Sequence, residues 1–226
     1  MHLILASGSP RRAELLQAAG YTFDVVVADV DESIREGESP STYVRRLAAE
    51  KSAVALAALK GCATSAPKGG ATSVRGAATP AANVASPKSN VAQGFSPADA
   101  IILGADTTVV VDGQILGKPR DDEEGRHMLR RLSDKKHQVL TGVSLRQGVY
   151  EVGRVEITTV TFRALTDEDI SWYVASGEGR DKAGGYAIQG LASRFIPGIA
   201  GSYSNVVGLP VACLDELLRS LLASGR

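Results

Sequence analysis

Two cysteines and three histidines are all that 226 residues hold. Cys62 and Cys213 stand far apart, no CxxC occurs, and His2, His127 and His137 share no ligand spacing. A disulfide framework and a structural zinc site are thereby excluded. The histidines lack partners in sequence, and neither cysteine has an activating neighbour, so no nucleophilic triad is credible. Aromatic residues make up only 5 % of the chain, so the core must come from alanine, valine, leucine and isoleucine. No apolar run approaches the roughly 20 residues that cross a bilayer, and no secretory leader is visible. The expected setting is soluble, reducing and cytoplasmic. Neither sign of charge is in excess, with 25 basic and 25 acidic residues. A general nucleic-acid or membrane-surface binder carries a basic excess, so neither partner is expected. The Walker loop G-x-x-x-x-G-K-S/T is missing as well.

One segment lacks what a folded chain needs. Residues 61–98 contain no leucine, no isoleucine and no acidic residue, but four of the nine prolines. Such a composition cannot bury enough apolar surface to offset chain entropy. The segment is expected to be a disordered insertion within a single catalytic domain spanning 1–226. On either side the pattern alternates between strand and helix, which predicts a mixed α/β fold. His2 to Ala6 reads as a short strand, and Pro10 to Ala19 as a helix stopped by Gly20. "TFDVVVADVDE" reads as a strand that emerges into an acidic loop. Val44, Leu47, Val54 and Leu59 have helical spacing. Ala100–Leu103 is a buried strand, and Thr107–Val111 forms a hairpin with Gln114–Leu116 through Asp112-Gly113. A helix opening with acids and ending in arginines, two long strands, a helix opened by Thr166 and Asp169, and a closing helix follow.

Chemistry is suggested first by the cations. In "LASGSPRRAELL", Ser9 stands at a helix N-cap and Pro10 at the first helical position. Arg11 and Arg12 therefore fall in the first turn, where the helix dipole repels cations by about 0.3–1 kcal/mol each. A Ser-Gly-Ser turn, a helix N-terminus and two guanidinium groups make a phosphate site. A capped helix with two solvated arginines is the open alternative. The acids of "DVDE" and the Asp106 of "GADTTV" end strands, the arrangement that holds Mg²⁺ through one or two carboxylates and substrate oxygens. Asp106 sits between buried-type residues, where an unpaired carboxylate is costly. Lys118 in "LGKPRD" can reach a phosphate, although alone it reads as a turn lysine; Lys51 alone reads as a solvated helix residue. Near the C-terminus, "GGYAIQG" offers glycines for close backbone approach and Gln189, whose amide both donates and accepts. Cations with carboxylates, and no nucleophile, are the recipe for metal-assisted phosphoryl chemistry.

Seven segments together resemble the Maf family of nucleotide pyrophosphatases: "LASGSPRRAELL", "DVDE", "AAEKS", "GADTTVVVDGQILGKPRD", "LSDKKHQVLTGVSL", "DKAGGYAIQGLASRFI" and "GSYSNVVGLP". They occur in the family's order and cover residues 1–60 and 99–220. The resemblance implies an elongated mixed β-sheet flanked by helices, with two lobes around a nucleotide cleft. It implies house-cleaning hydrolysis of a nucleoside triphosphate to monophosphate and pyrophosphate, with a divalent cation (Mg or Mn), in a possible homodimer. By position, Ser7, Arg11, Arg12, Lys51 and Lys118 match the triphosphate-binding set. Glu32 and Asp106 match the metal and water-activating carboxylates, with Asp106 as general base and Asp121 as a weaker member. Arg11, Thr107 and Gln189 match positions that distinguish subfamilies, and "YAIQG" with "GSYSNVVGLP" looks like the branch acting on dTTP and UTP. A Gln amide also suits the N3–H and O4 edge of uracil or thymine. Preference for 7-methyl-GTP, and a non-catalytic nucleotide-binding regulator of septum formation, are the alternatives. The insertion departs from the family pattern and is expected to loop outside the cleft.

Overall fold

The structure, a computed structural model, describes residues 2–64 and 100–224. A sheet of seven strands forms its centre. Strand β1 (His2–Ala6) is buried along Leu3–Ala6, as a strand covered on both faces must be. It pairs in parallel with β2 (Phe23–Val25) on one side and β3 (Ala100–Val111) on the other. The sequence suggests a longer β2. Only three residues pair because β1 itself ends at Ala6, and the bond from Val26 N–H to the Leu5 carbonyl is the last along that edge.

Beyond β3 the sheet is antiparallel, through β5 (Lys136–Gln147), β6 (Tyr150–Thr161) and β7 (Gly198–Ala200). A short β4 (Gln114–Leu116) returns on β3 through Asp112 and Gly113, whose φ values of 51° and 73° are those of a tight hairpin turn. β3 is one continuous strand rather than two, because β5 pairs with it from Ile102 to Val110 without a break. Asp106, expected at a strand end, therefore lies mid-strand.

The other edge of β3 is interrupted. β1 occupies it along Ala100–Gly104 and β4 along Val109–Val111. Among the described residues no strand pairs with that edge between them, at Ala105–Thr108. Two cores divide at the same place. On one side Leu3, Leu5, Ile101 and Leu103 pack on Leu16 of α1 (Pro10–Ala18) and on Leu214 of α6 (Val211–Ser224). On the other Val109 and Val111 pack with Leu129 of α3 (Asp122–Leu132), Tyr173 of α4 (Asp167–Ala175), Phe162 and Phe195. The gap in the strand edge is thus the cleft between two lobes.

Helix α2 (Pro40–Thr64) spans both β3 and β5. It continues four residues into the segment expected to be an insertion; the remainder, 65–98, lies outside the described residues. Its buried face runs through Val44, Leu47, Ala48, Lys51, Ala55, Leu56 and Leu59. Val54, expected inward, is 41 % exposed, because Lys51 and Ala55 take the sheet-facing positions. The helix backbone lies directly on the sheet: a Cβ at Gly104 would overlap the Ala48 carbonyl, and one at Gly142 the Val44 carbonyl. A short helix α5 (Tyr203–Val207) closes the sheet near the cleft. Among the described residues no helix is long and apolar enough to cross a membrane.

Replacing Gly104 by alanine should therefore lever α2 off the sheet, costing about 1–3 kcal/mol. Urea unfolding measures it; a Gly104→Ala midpoint equal to wild type would show that α2 does not rest on this contact.

Candidate functional site

The interrupted edge of β3 opens into a cleft of about 640 Å³. Five basic side chains line it (Arg11, Arg12, Lys51, Lys118 and Lys182) against three acidic ones, Glu32, Asp106 and Asp181. The surplus of positive charge suits a polyanion.

The turn after β1 delivers the two arginines differently. Ser9 holds the N-cap position of α1 but makes no side-chain capping bond; its own N–H donates to Ser7 Oγ at 3.2 Å. Arg12 turns inward and is only 9 % exposed, so it is no solvated surface residue. Its Nε donates to the Gly208 carbonyl at 2.8 Å, one terminal nitrogen to Ser7 Oγ at 3.0 Å and the other to Thr107 Oγ1 at 3.1 Å. Two of its five N–H groups remain for an anion. Burial pulls its pKa below the ordinary arginine value, with Asp106 countering. Thr107 continues the chain of polar contacts to Thr141 Oγ1 at 2.9 Å, and Thr141 donates to the Asn205 carbonyl at 3.1 Å. Arg11 has no hydrogen-bond or ion-pair partner among the described residues. Burial lowers its pKa, opposed by Asp181 and Glu14.

Lys51, expected to be solvated if taken alone, is 8 % exposed. Its Nζ donates to Glu32 Oε1 and to Asp106 Oδ1, at 2.7 Å each. Asp106 is itself 8 % exposed, and Lys51 is its ion-pair partner. Burial pushes the Glu32 carboxyl up, but the hydrogen bond and charge of Lys51, with Lys118 and Arg12 behind, outweigh it and leave Glu32 below the usual carboxylate range. The loop carrying Glu32 is clamped to α2 through two of its backbone carbonyls: Tyr43 donates to the Glu32 carbonyl and Arg46 to the Ser33 carbonyl, both at 3.0 Å. Burial, together with the charges of Asp106 and Glu32, pushes the Tyr43 hydroxyl up to about 12, so it stays a donor.

The donor set fits a hard divalent cation. Glu32 and Asp106 come together on Lys51 Nζ, and their two carboxylates are the ligand type that such an ion takes alongside phosphate oxygens and water. Among the described residues no group of three or more His, Cys, Asp or Glu gathers to hold a metal. Asp121 does not join the site. It caps α3, its Oδ1 accepting from Glu124 N–H at 2.8 Å, which turns the carboxylate away from the cleft.

Across the cleft, Lys118 leaves β4 and the Gly117 carbonyl accepts from Gly184 N–H at 2.9 Å, tying the lysine's turn to the "GGYAIQG" loop. Gly184 has φ 71°, and a Cβ there would press on Val109 at 3.0 Å. Gln189 stands exposed at the rim, with no hydrogen-bond partner among the described residues. Tyr43, Asp181 and Lys182 escape the sequence reading. Tyr43 lies eight residues before Lys51 on the same helix face, a spacing that could have found it. Asp181 and Lys182, which pair with each other, had only their place before the glycines as a signal.

A match to the family model Maf-like protein covers residues 2–221. The chain belongs to the Maf family. Relatives named dTTP/UTP pyrophosphatase include one from Shigella dysenteriae, 43 % identical over 221 residues (98 % of this chain and 93 % of that protein). One from Symbiobacterium thermophilum is 45 % identical over 216 residues, covering 96 % and 92 %. One from Vibrio vulnificus is 40 % identical over 223 residues, covering 98 % and 100 %. Among solved structures the Staphylococcus aureus Ham1 protein aligns over the full length of both chains, with a TM-score of 0.46 and 12 % identity.

Beneath the Maf cleft, His137 Nε2 lies 2.7 Å from the Tyr186 hydroxyl, inside an edge-to-face cluster with Phe162. Burial pulls the imidazole down to about 4 from 6.5. The folded protein therefore keeps His137 neutral where the unfolded chain protonates it, so stability falls as pH drops from 6.5 towards 4. The loss is about 3 kcal/mol at most. Denaturant unfolding of wild type and His137→Leu at pH 7 and pH 4.5 should show a steeper pH dependence in wild type; parallel curves would refute this role of burial.

Proposed function

We propose that this protein hydrolyses pyrimidine nucleoside triphosphates, dTTP and UTP foremost, to the monophosphate and pyrophosphate. The observation that carries the reading is the Asp106 carboxylate, buried mid-strand and paired to Lys51 in a cleft where basic side chains outnumber acidic ones. The names of relatives at 40–45 % identity over nearly the whole chain support the substrate.

In this reading the triphosphate lies along Ser7, Arg11, Arg12, Lys51 and Lys118. Both free N–H groups of Arg12 and the first-turn amides of α1 face it, so the dipole that repels the arginines in the empty protein acts with them on the bound anion. Asp106 accepts the proton of a water molecule that attacks the α-phosphorus in line. A P–O bond to water forms, the bond to the bridging α–β oxygen breaks, and pyrophosphate leaves with the electron pair. Arg12, Lys51 and Lys118 neutralise the charge that grows on the transferring and leaving groups. Glu32 and Asp106, with phosphate oxygens, would hold a divalent cation. When bound, it supplies charge neutralisation and a more acidic water. Gln189 meets the N3–H and O4 edge of the pyrimidine, beside Arg11 and Thr107 as the other selectivity positions. A cytoplasmic setting, where nucleotide pools are made and used, accords with the activity.

Purified protein given dTTP or UTP with Mg²⁺ or Mn²⁺ should release pyrophosphate as the first phosphate product, and chelation should stop it. Asp106→Asn should lower kcat about 10²–10⁴-fold, the range of a lost general base. Gln189→Ala should reduce discrimination among bases more than it reduces kcat. Orthophosphate as the first product, or an unaltered Asp106→Asn rate, would contradict this chemistry.

A further inference from the structure

A glutamine amide reads a base ambiguously. Turned by half a revolution it exchanges its donor and its acceptor, so it can match uracil or the reversed pattern of cytosine. Choice between them requires that the segment carrying Gln189 be fixed in place, so that base and backbone meet in one register. The residues that fix it lie behind the cleft, and none of them lines it.

Two side chains hold the loop on either side of Gln189. Tyr173 of α4 is buried, and its hydroxyl accepts from Ala187 N–H at 3.1 Å. Glu178, five residues further on, accepts from Leu191 N–H through Oε1 at 3.0 Å. Ala187 and Leu191 are each two residues from Gln189. The fit is close: a Cβ at Gly190 would run into the Glu178 carboxylate. Glu178 Oε2 is buried with no hydrogen-bond partner among the described residues. Its Oε1 serves the backbone beside Gln189, and the carboxylate also interacts with the Tyr173 hydroxyl, so the two pins support each other. Gly190 N–H donates to the Ala187 carbonyl at 3.2 Å and closes the turn between the two pins.

We propose that Glu178 and Tyr173 are positioning residues for base selection: they clamp the backbone at Leu191 and Ala187 and so set where Gln189 meets the pyrimidine. The inference rests on the reading of Gln189 as the group that meets the base. Neither residue touches substrate. Removing a pin therefore loosens base choice while Arg12, Lys51 and Asp106 on the opposite wall stay assembled.

The test compares kcat/KM for UTP and CTP in wild type, Glu178→Ala, Glu178→Gln and Tyr173→Phe, with thermal melting of each. Glu178→Ala and Tyr173→Phe should each lower the UTP/CTP ratio about tenfold, with the larger change in KM. Glu178→Gln keeps an oxygen to accept from Leu191 N–H and should restore most of the ratio. Gly190→Ala, which displaces the carboxylate, should mimic Glu178→Ala. Unchanged ratios in Glu178→Ala and Tyr173→Phe would overturn the inference. So would a fall in Glu178→Ala that merely follows lost melting temperature and is not rescued by glutamine. Should wild type show no preference for UTP over CTP, the Gln189 reading itself fails.

Discussion

One ammonium group, Lys51 Nζ, is shared by two carboxylates that come from distant parts of the chain. Glu32 arrives on a loop and Asp106 on the central strand, and both lie 2.7 Å from it. A buried aspartate without this cation would leave an uncompensated charge in the strand that bears it. Much of the surrounding architecture is what brings the lysine there. Helix α2 reaches the strand only because Gly104 and Gly142 present bare backbone to it. Tyr43 and Arg46, from the same helix, hold the Glu32 loop against it.

The cleft follows from a topological fact. β3 is longer than either neighbour on its outer edge, so β1 and β4 leave Ala105–Thr108 uncovered between them. The same strand is buried elsewhere among apolar residues, which gives each lobe its own core. Asp106, Thr107 and Thr108 on the uncovered stretch line the cleft, and ligands commonly settle in crevices at strand ends of such sheets. Arg12 then links the wall formed by the first turn of α1 to Thr107 on this stretch and to Gly208 beside α5. One wall carries Arg11, Arg12 and Lys51; the other carries the Gly-rich loop with Gln189, tied to the turn of Lys118.

Much of this was legible in the chain. The strand–turn–helix start, the capping box at Thr166 and Asp169, and the Asp-Gly hairpin are local signals, and the structure repeats them. Family resemblance placed Ser7, Arg12, Lys51, Asp106 and Lys118, and all of them line one cleft. What local reasoning missed depends on distant partners. Lys51 reads as a surface residue until a carboxylate 55 residues away is brought to it. Val54 reads as inward because helical spacing tolerates two registers, and only contact with the sheet chooses between them. β3 reads as two pieces, Ala100–Leu103 and Thr107–Val111, whereas β5 pairs across both and α2 rests on Gly104 between them. Asp121 matched by sequence position, but its oxygen is already used by the helix it starts.

The most direct measurement of the central claim is pyrophosphate release by Lys51→Met. Methionine keeps the length and the apolar contacts of the stem and removes only the charge. The account predicts a folded protein whose kcat/KM for dTTP falls at least a hundredfold, equivalent to about 2.7 kcal/mol of lost transition-state stabilisation. A folded Lys51→Met protein that turns over dTTP at the wild-type rate would contradict it.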